Sequence, residues 1–279
     1  MRHSGLLGAL LLLAGGCGAA NITDPTHTDP AATAATTTAD PSARGALGLV
    51  SSKPPEESVA LMTSLPIYWP MGVGLADIAS GEASTPWPRV FLERRYTLVP
   101  LDTLSPIAAL PGEATDSDPL DGIQRLAIIQ PRGLSPADNA ALDRWVRGGG
   151  RLLMALDPAL SGHYALPLGD PRLPSYTALI PPVVAHWGLA IRFYEAQREP
   201  LTSFGLPGEE ELILRTPGEI SALAGSKGGC RVEEPAPMVQ CAIGEGRVTL
   251  LADAAVFEHR ELAGSTGQRL RAVMAYAFE

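Results

Sequence analysis

The chain has 279 residues, of which 46% are hydrophobic and 18% charged. That much apolar material can bury a core, which excludes an extended disordered protein. A net charge of −9, lysine only at Lys53 and Lys227, and scattered arginines argue against a nucleic-acid-binding surface. No apolar run reaches the roughly 18 residues of a membrane-spanning helix.

Residues 1–20 read as an export signal. Arg2 and His3 open it, an apolar stretch covers residues 6–14, and Gly15, Gly16 and Cys17 follow. Ala14-Gly15-Gly16-Cys17 resembles a bacterial lipobox, which implies that Cys17 becomes a lipid-modified first residue and a membrane anchor. A rival cut after Ala20 would give a soluble exported protein instead. Residues 21–57, rich in Thr, Ala, Pro and Asp without apolar periodicity, read as a disordered linker. One folded domain is expected over residues 58–279.

Within that domain, residues 59–62 form an apolar strand, residues 87–95 a helix with Pro86 and Pro88 near its start, and residues 96–101 a second strand. Residues 113–122 are an acidic loop. Residues 126–130 are a third, strongly apolar strand, stopped by Pro131. Ser135 is an N-cap, Pro136 fits the first helical position, and Leu142, Trp145 and Val146 share one helical face. Gly148-Gly149-Gly150 ends that helix, and residues 151–156 continue as a buried strand. Strand, helix and strand with unbroken apolar strands define a βαβ unit in a parallel sheet, with a right-handed crossover. A short helix over 181–187, strands at 189–194, 212–214 and 247–252, and a last helix from about residue 265 complete the pattern. Leu270, Val273, Met274, Ala277 and Phe278 line one side of that last helix.

Cys230 and Cys241 bracket a Pro-containing segment that reads as a β-hairpin near the C-terminus. Cross-strand neighbours there would be close enough to pair in an oxidising compartment. The alternative is two unpaired cysteines packed as small hydrophobes.

Leu134-Ser135-Pro136, the run from Trp145 through Gly148-Gly149-Gly150 to Leu153, and Gly244-Glu245-Gly246-Arg247-Val248 leading to Leu251-Ala252-Asp253 resemble a known family. It is the auxiliary domain of gliding-motility-type ABC transport systems, within the non-catalytic glutamine-amidotransferase-like class. The resemblance implies a three-layer α/β fold with a mainly parallel sheet, flavodoxin-like or class I glutamine-amidotransferase-like, outside the cytoplasmic membrane. Family members often carry spanning helices and work with an ATPase. This chain has no P-loop and no terminal spanning segment, so a lipid anchor at most would tether it.

Catalytic signatures are missing from the expected places. The turn after residues 126–130 reads Pro131-Arg132-Gly133-Leu134, with neither Cys nor Ser, and no G-x-S-x-G elbow occurs. His163, His186 and His259 lack metal-ligand spacing, and the acidic residues Asp116, Asp118 and Asp121 do not follow an EF-hand pattern. No cofactor, metal or nucleic acid is therefore expected. In open parallel sheets ligands bind beyond the carboxyl ends of the strands. The candidates placed there are Ser64, Tyr68, Trp69, Gln130, Arg132, Asp157, His163 and Asp253. They fit either a cleft for a small ligand or an envelope partner without covalent chemistry, or a structural role in which Asp157 and Asp253 cap turns and helices while the aromatics pack. The alternative is an envelope hydrolase using Asp157 and Asp253 as a carboxylate pair.

Overall fold

The structure, a computed structural model, describes residues 57–109, 111–112, 115–193, 201–208, 210–225 and 229–279. The export signal, Cys17 and all of the linker but its last residue lie outside the described residues.

The first half runs β1 (Ser58–Thr63), α1 (Leu75–Ser80), α2 (Trp87–Leu92), β2 (Thr97–Pro100), β3 (Arg125–Ile129), α3 (Pro136–Arg147) and β4 (Arg151–Ala155). Then come α4 (Pro182–His186), β5 (Leu189–Arg192), β6 (Thr202–Gly205), β7 (Glu211–Leu214) and β8 (Glu219–Ala222). The chain closes with β9 (Met238–Ile243), β10 (Gly246–Leu251), α5 (Ala255–Glu258), α6 (Arg260–Ala263) and α7 (Gln268–Phe278).

Six strands form the central sheet in the order β2-β1-β3-β4-β10-β9. All neighbours pair parallel except β9, which runs antiparallel to β10 at the edge. Successive strand residues point to opposite faces, and both faces are covered. Val59, Leu61, Ala127, Ile129 and Leu153 pack with α2, α5 and α7. Ala60, Met62, Leu126, Ile128, Leu152 and Met154 pack with α3 and α4. Burial on both sides explains why these strands read as unbroken apolar runs.

α3 forms where the local chemistry places it. The Ser135 hydroxyl accepts from the Asp138 N–H at 3.0 Å, the Asp138 carboxylate returns a bond to the Ser135 N–H, and Pro136 fills a position that needs no donor. The strand after it abuts β10 closely. A side chain at Gly246 would strike the carbonyl oxygens of Val146 and Gly150, so only glycine fits there.

Two expectations are corrected. The helix expected over 87–95 ends at Leu92, and residues 93–95 are a turn. Trp145 packs with Leu142 and Val146 against the sheet as expected; it is half-buried, with its indole N–H donating to the Ile123 carbonyl at 2.9 Å. The C-terminal hairpin is β9–β10, turning at residues 244–245, one element later than the segment between Cys230 and Cys241. Pro235 and Pro237 explain the shift, because neither can donate to a strand ladder. The strand expected at 189–194 is observed over 189–192 as β5, which pairs antiparallel with β8, and β6 pairs with β7, in two ribbons apart from the central sheet. Cys230 lies in the loop before β9 and is disulfide-bonded to Cys241, with a Cα–Cα separation of 5.1 Å.

Candidate functional site

The chain passes from β1 to β2 on one side, then crosses to β3 on the other side of β1. Ligands of open α/β sheets bind outside the carboxyl ends at such a switch point. Here the crevice is filled by Gln130. Its Nε2 donates to the carbonyls of Asp157 at 3.1 Å and Ser175 at 2.7 Å, and its Oε1 accepts from the Asp157 N–H at 2.8 Å. Its own carbonyl accepts from the Ser64 N–H at 3.2 Å and from the Ser64 hydroxyl. The Ser64 oxygen in turn accepts from the Ser175 N–H at 3.3 Å. Ser64, Gln130 and Asp157 thus stitch the ends of β1, β3 and β4 to the loop that follows β4.

Gln130 has φ 44°, in the left-handed region. Such backbone costs on the order of 1–3 kcal/mol in a non-glycine residue and persists where the surroundings impose it. Hydrolases with an elbow nucleophile place it on a strained strand-to-helix turn of this kind. Glutamine offers no nucleophilic atom, and this one is fully buried.

Asp157 and Asp253 follow β4 and β10, and both are buried. Each carboxylate is engaged at both oxygens by backbone N–H groups. Asp157 accepts from Ala159 at 2.8 Å and Ala254 at 3.0 Å. Asp253 accepts from Ala255 at 2.6 Å and Arg215 at 2.7 Å. Burial pushes Asp157 up to about 6, with the Glu258 charge adding to it. Burial, reinforced by the Asp157 charge, also raises Asp253 well above the usual carboxylate range. The pair therefore ties β4, β10 and the segment after β7 together inside the protein.

A further cluster carries no local sequence signal. The buried Glu258 carboxylate accepts from the N–H groups of Ser161 at 3.3 Å and Gly162 at 2.8 Å, and from the Tyr164 hydroxyl. Burial, then the bond to Glu258, raises the Tyr164 hydroxyl far above its ordinary value. Ser161 Oγ lies 2.9 Å from His259 Nε2, and His259 Nδ1 lies 3.5 Å from the Glu261 carboxylate. Ser161 and His259 are 98 positions apart in the chain, so no spacing motif could have joined them.

Two clefts open at this edge and share a wall formed by residues 65–66 and 70–72. The first, of about 350 Å³, lies past the ends of β1 and β2 and contains Tyr68, Trp69, Met71, Asp102, Arg132 and Arg172. Trp69 is 51% exposed and stands edge-on to Tyr68 at 4.9 Å, while the Arg89 guanidinium stacks over the Tyr68 ring at 4.1 Å. Arg132 donates through Nη1 to the Leu173 carbonyl at 2.8 Å. Arg172 is gripped by both oxygens of Asp170, whose carboxyl falls to about 2 because of that pairing. The second cleft, of about 370 Å³, is walled by Trp87, Tyr164, Phe257 and Glu258, with the exposed His163 at its side.

The eight candidates therefore divide. Tyr68, Trp69 and Arg132 come together on the first cleft. Ser64 touches its floor but belongs to the buried stitch with Gln130 and Asp157. Asp253 lies deeper, and His163 faces the neighbouring cleft. In the acidic loop, Asp116 and Asp118 accept bonds from the N–H groups of Ala109 and Leu120, and Glu113 lies outside the described residues.

No family model matches the chain, and no curated protein matches it. Among solved structures it is similar to the exo-β-1,4-mannosidase Op5Man5 from Opitutaceae bacterium strain TAV5, at 15% identity and TM-score 0.42, over 79% of this chain and 35% of that one. It is similar to a β-galactosidase from Bacillus circulans sp. alkalophilus at 10% identity and TM-score 0.37, over 71% of this chain and 29% of that one. A ThuA-like protein from Bacteroides uniformis is similar at 11% identity and TM-score 0.36, over 81% of this chain and 91% of that one. The chain thus spans about a third of the length of the two glycosidases.

Proposed function

We propose that this chain is a non-enzymatic cell-envelope domain that holds a ligand or partner in the cleft past β1 and β2, as an accessory to an ABC-type transport system. The observation that carries the reading is the division of the strand-end residues. Asp157 and Asp253 are held as buried caps, while Tyr68, the exposed Trp69 and the Arg132 guanidinium are left on an open cleft. Clefts lined by apolar side chains with a few convergent polar groups are where small ligands bind. The order β2-β1-β3-β4-β10 follows the flavodoxin-like pattern of doubly wound sheets, which supports that fold class and with it the glutamine-amidotransferase-like resemblance. The envelope location and the lipid on Cys17 rest on the N-terminal sequence.

The test is native mass spectrometry of the mature protein after incubation with envelope extract. An adduct of defined mass on the wild type, absent from Trp69→Ala, is expected. An extract that leaves both proteins bare, or loads both equally, overturns the reading. Fractionation checks the location: the chain belongs in the membrane fraction and a Cys17→Ser variant outside it. Full-length, unprocessed protein in the cytoplasm contradicts that part.

The hydrolase alternative finds no free carboxylate oxygen at Asp157 or Asp253. One observation favours hydrolysis elsewhere, the 2.9 Å contact between Ser161 Oγ and His259 Nε2. Against it, the two backbone donors beside Ser161 that could receive an oxyanion already hold Glu258. A fluorophosphonate probe decides: covalent labelling lost in Ser161→Ala would favour the hydrolase, and no labelling is expected.

A further inference from the structure

The geometry points to a small aromatic monocarboxylate as the occupant of the cleft past β1 and β2, with its carboxylate on Arg132 and its ring against Trp69 and Tyr68. This rests on the binding reading above and names the chemistry of that same site.

The argument begins at Arg132. A guanidinium carries five N–H donors in a rigid fork. Among the described residues its one hydrogen bond is from Nη1 to the Leu173 carbonyl, and no carboxylate pairs with this side chain. The Nε and Nη2 groups are left over, and that edge matches the two oxygens of a carboxylate. Arg172, the other guanidinium of the cleft, is already neutralised by Asp170. Arg132 is therefore the guanidinium of this cleft with no ion-pair partner among the described residues, in a chain of net charge −9. Asp102 lines the same cleft, so a dianion such as a phosphate monoester would meet local and global repulsion. A singly charged group fits that balance better.

The remaining surface sets the body of the ligand. Trp69 is exposed although it stands next to a cleft floored by Pro66, Pro70 and Met71. Flat apolar side chains presented in this way favour a flat apolar partner by stacking or edge contact. The volume of about 350 Å³ lies at the small end of ligand pockets, which restricts the body to one or two rings.

The probe is 2-naphthoate, with 2-naphthamide as its neutral counterpart. Binding is read from the four indole N–H signals of the ¹⁵N-labelled protein. Trp145 and Trp187 serve as stationary reporters of the fold, because their indoles are bonded to the Ile123 carbonyl and to Asp143. The acid should shift the Trp69 signal saturably, and the amide should bind at least about tenfold more weakly. Arg132→Gln should reduce the affinity for the acid to that for the amide, with the Trp145 and Trp187 signals unmoved. Arg132→Lys, which keeps the charge without the fork, should fall between. Equal binding of acid and amide, or an affinity for the acid unaltered in Arg132→Gln, overturns the carboxylate assignment while the response of Trp69 still supports a binding cleft. If neither compound moves Trp69 at about 5 mM, a range that captures even weak ligands, the ligand class is overturned outright. The extract experiment then decides the binding reading by itself.

Discussion

Gln130 concentrates three roles in one residue: it carries a left-handed backbone, fills the switch-point crevice, and bonds to two loops. Removing its amide leaves the buried N–H of Asp157 and carbonyl of Ser175 without their partner. An unsatisfied buried polar group costs about 1–3 kcal/mol, so Gln130→Ala should destabilise the domain by about 3 kcal/mol in urea unfolding. Gln130→Gly should be milder than Gln130→Ala by about 1 kcal/mol, because glycine accepts φ 44° without strain. The reverse order would remove the backbone argument. Asp157 supplies a pH signature. Its folded-state value of about 6 lies above the ordinary value of 3.8, so the unfolded chain ionises first as pH rises. Its favourable contribution is complete below about pH 4 and is lost by about pH 6; Asp253, raised by the same burial, acts in the same direction. Two units correspond to about 3 kcal/mol. Urea midpoints measured from pH 4 to pH 6 should fall for the wild type and fall less steeply in Asp157→Asn, where Asp253 still contributes.

At the level of elements, α3 was written almost completely into the local sequence. Its cap, its proline and its glycine stop are chemical instructions that act within a few residues, and the observed span matches them. The same sequence left the depth of Trp145 open. Helical spacing tells which residues share a face, but the width of that face depends on how far the neighbouring strand and loop extend. Leu142 and Val146 reach the core, whereas Trp145 lies over the glycine turn, its ring close against Gly150. Trp145→Ala should therefore cost about 2 kcal/mol, below the 3–5 kcal/mol typical of a fully buried aromatic. A larger loss in thermal or urea unfolding would mean that the indole is more enclosed than described. The hairpin shows the same limit. Apolar segments on both sides of Pro235 looked like partners, but Met238–Ile243 pairs with the following strand because β10 offers a continuous free edge there.

Across the whole molecule, the Cys230–Cys241 bridge ties the loop after β8 to the outermost strand of the sheet. Closing a loop of 11 positions restricts the unfolded chain modestly, so a Cys230→Ser/Cys241→Ser variant should lose about 3 kcal/mol or slightly less. Urea unfolding with and without reductant measures this, and non-reducing peptide mapping of the mature protein should recover the linked pair. Free thiols at both positions would contradict the bridge. The central strands β1, β3, β4 and β10, their parallel sense, the α3 unit and the buried face of α7 were determined by the sequence alone, because apolar runs, caps and helical periodicity act over short stretches. Which strand-end residues face the cleft was decided only by the tertiary structure. Every candidate had the same appearance in sequence, a polar or aromatic residue just past an apolar run. Ser64 turns inward because the Ser175 loop, 111 positions away, closes over it, and Asp253 turns inward because Arg215, 38 positions away, brings it a backbone donor. Trp69 stays exposed at the cleft, and Arg132 lines it with Nη1 held by the Leu173 carbonyl, 41 positions away. Burial of a polar group depends on the arrival of a distant partner, and that partner is fixed by the fold rather than by the residue's neighbours in the chain.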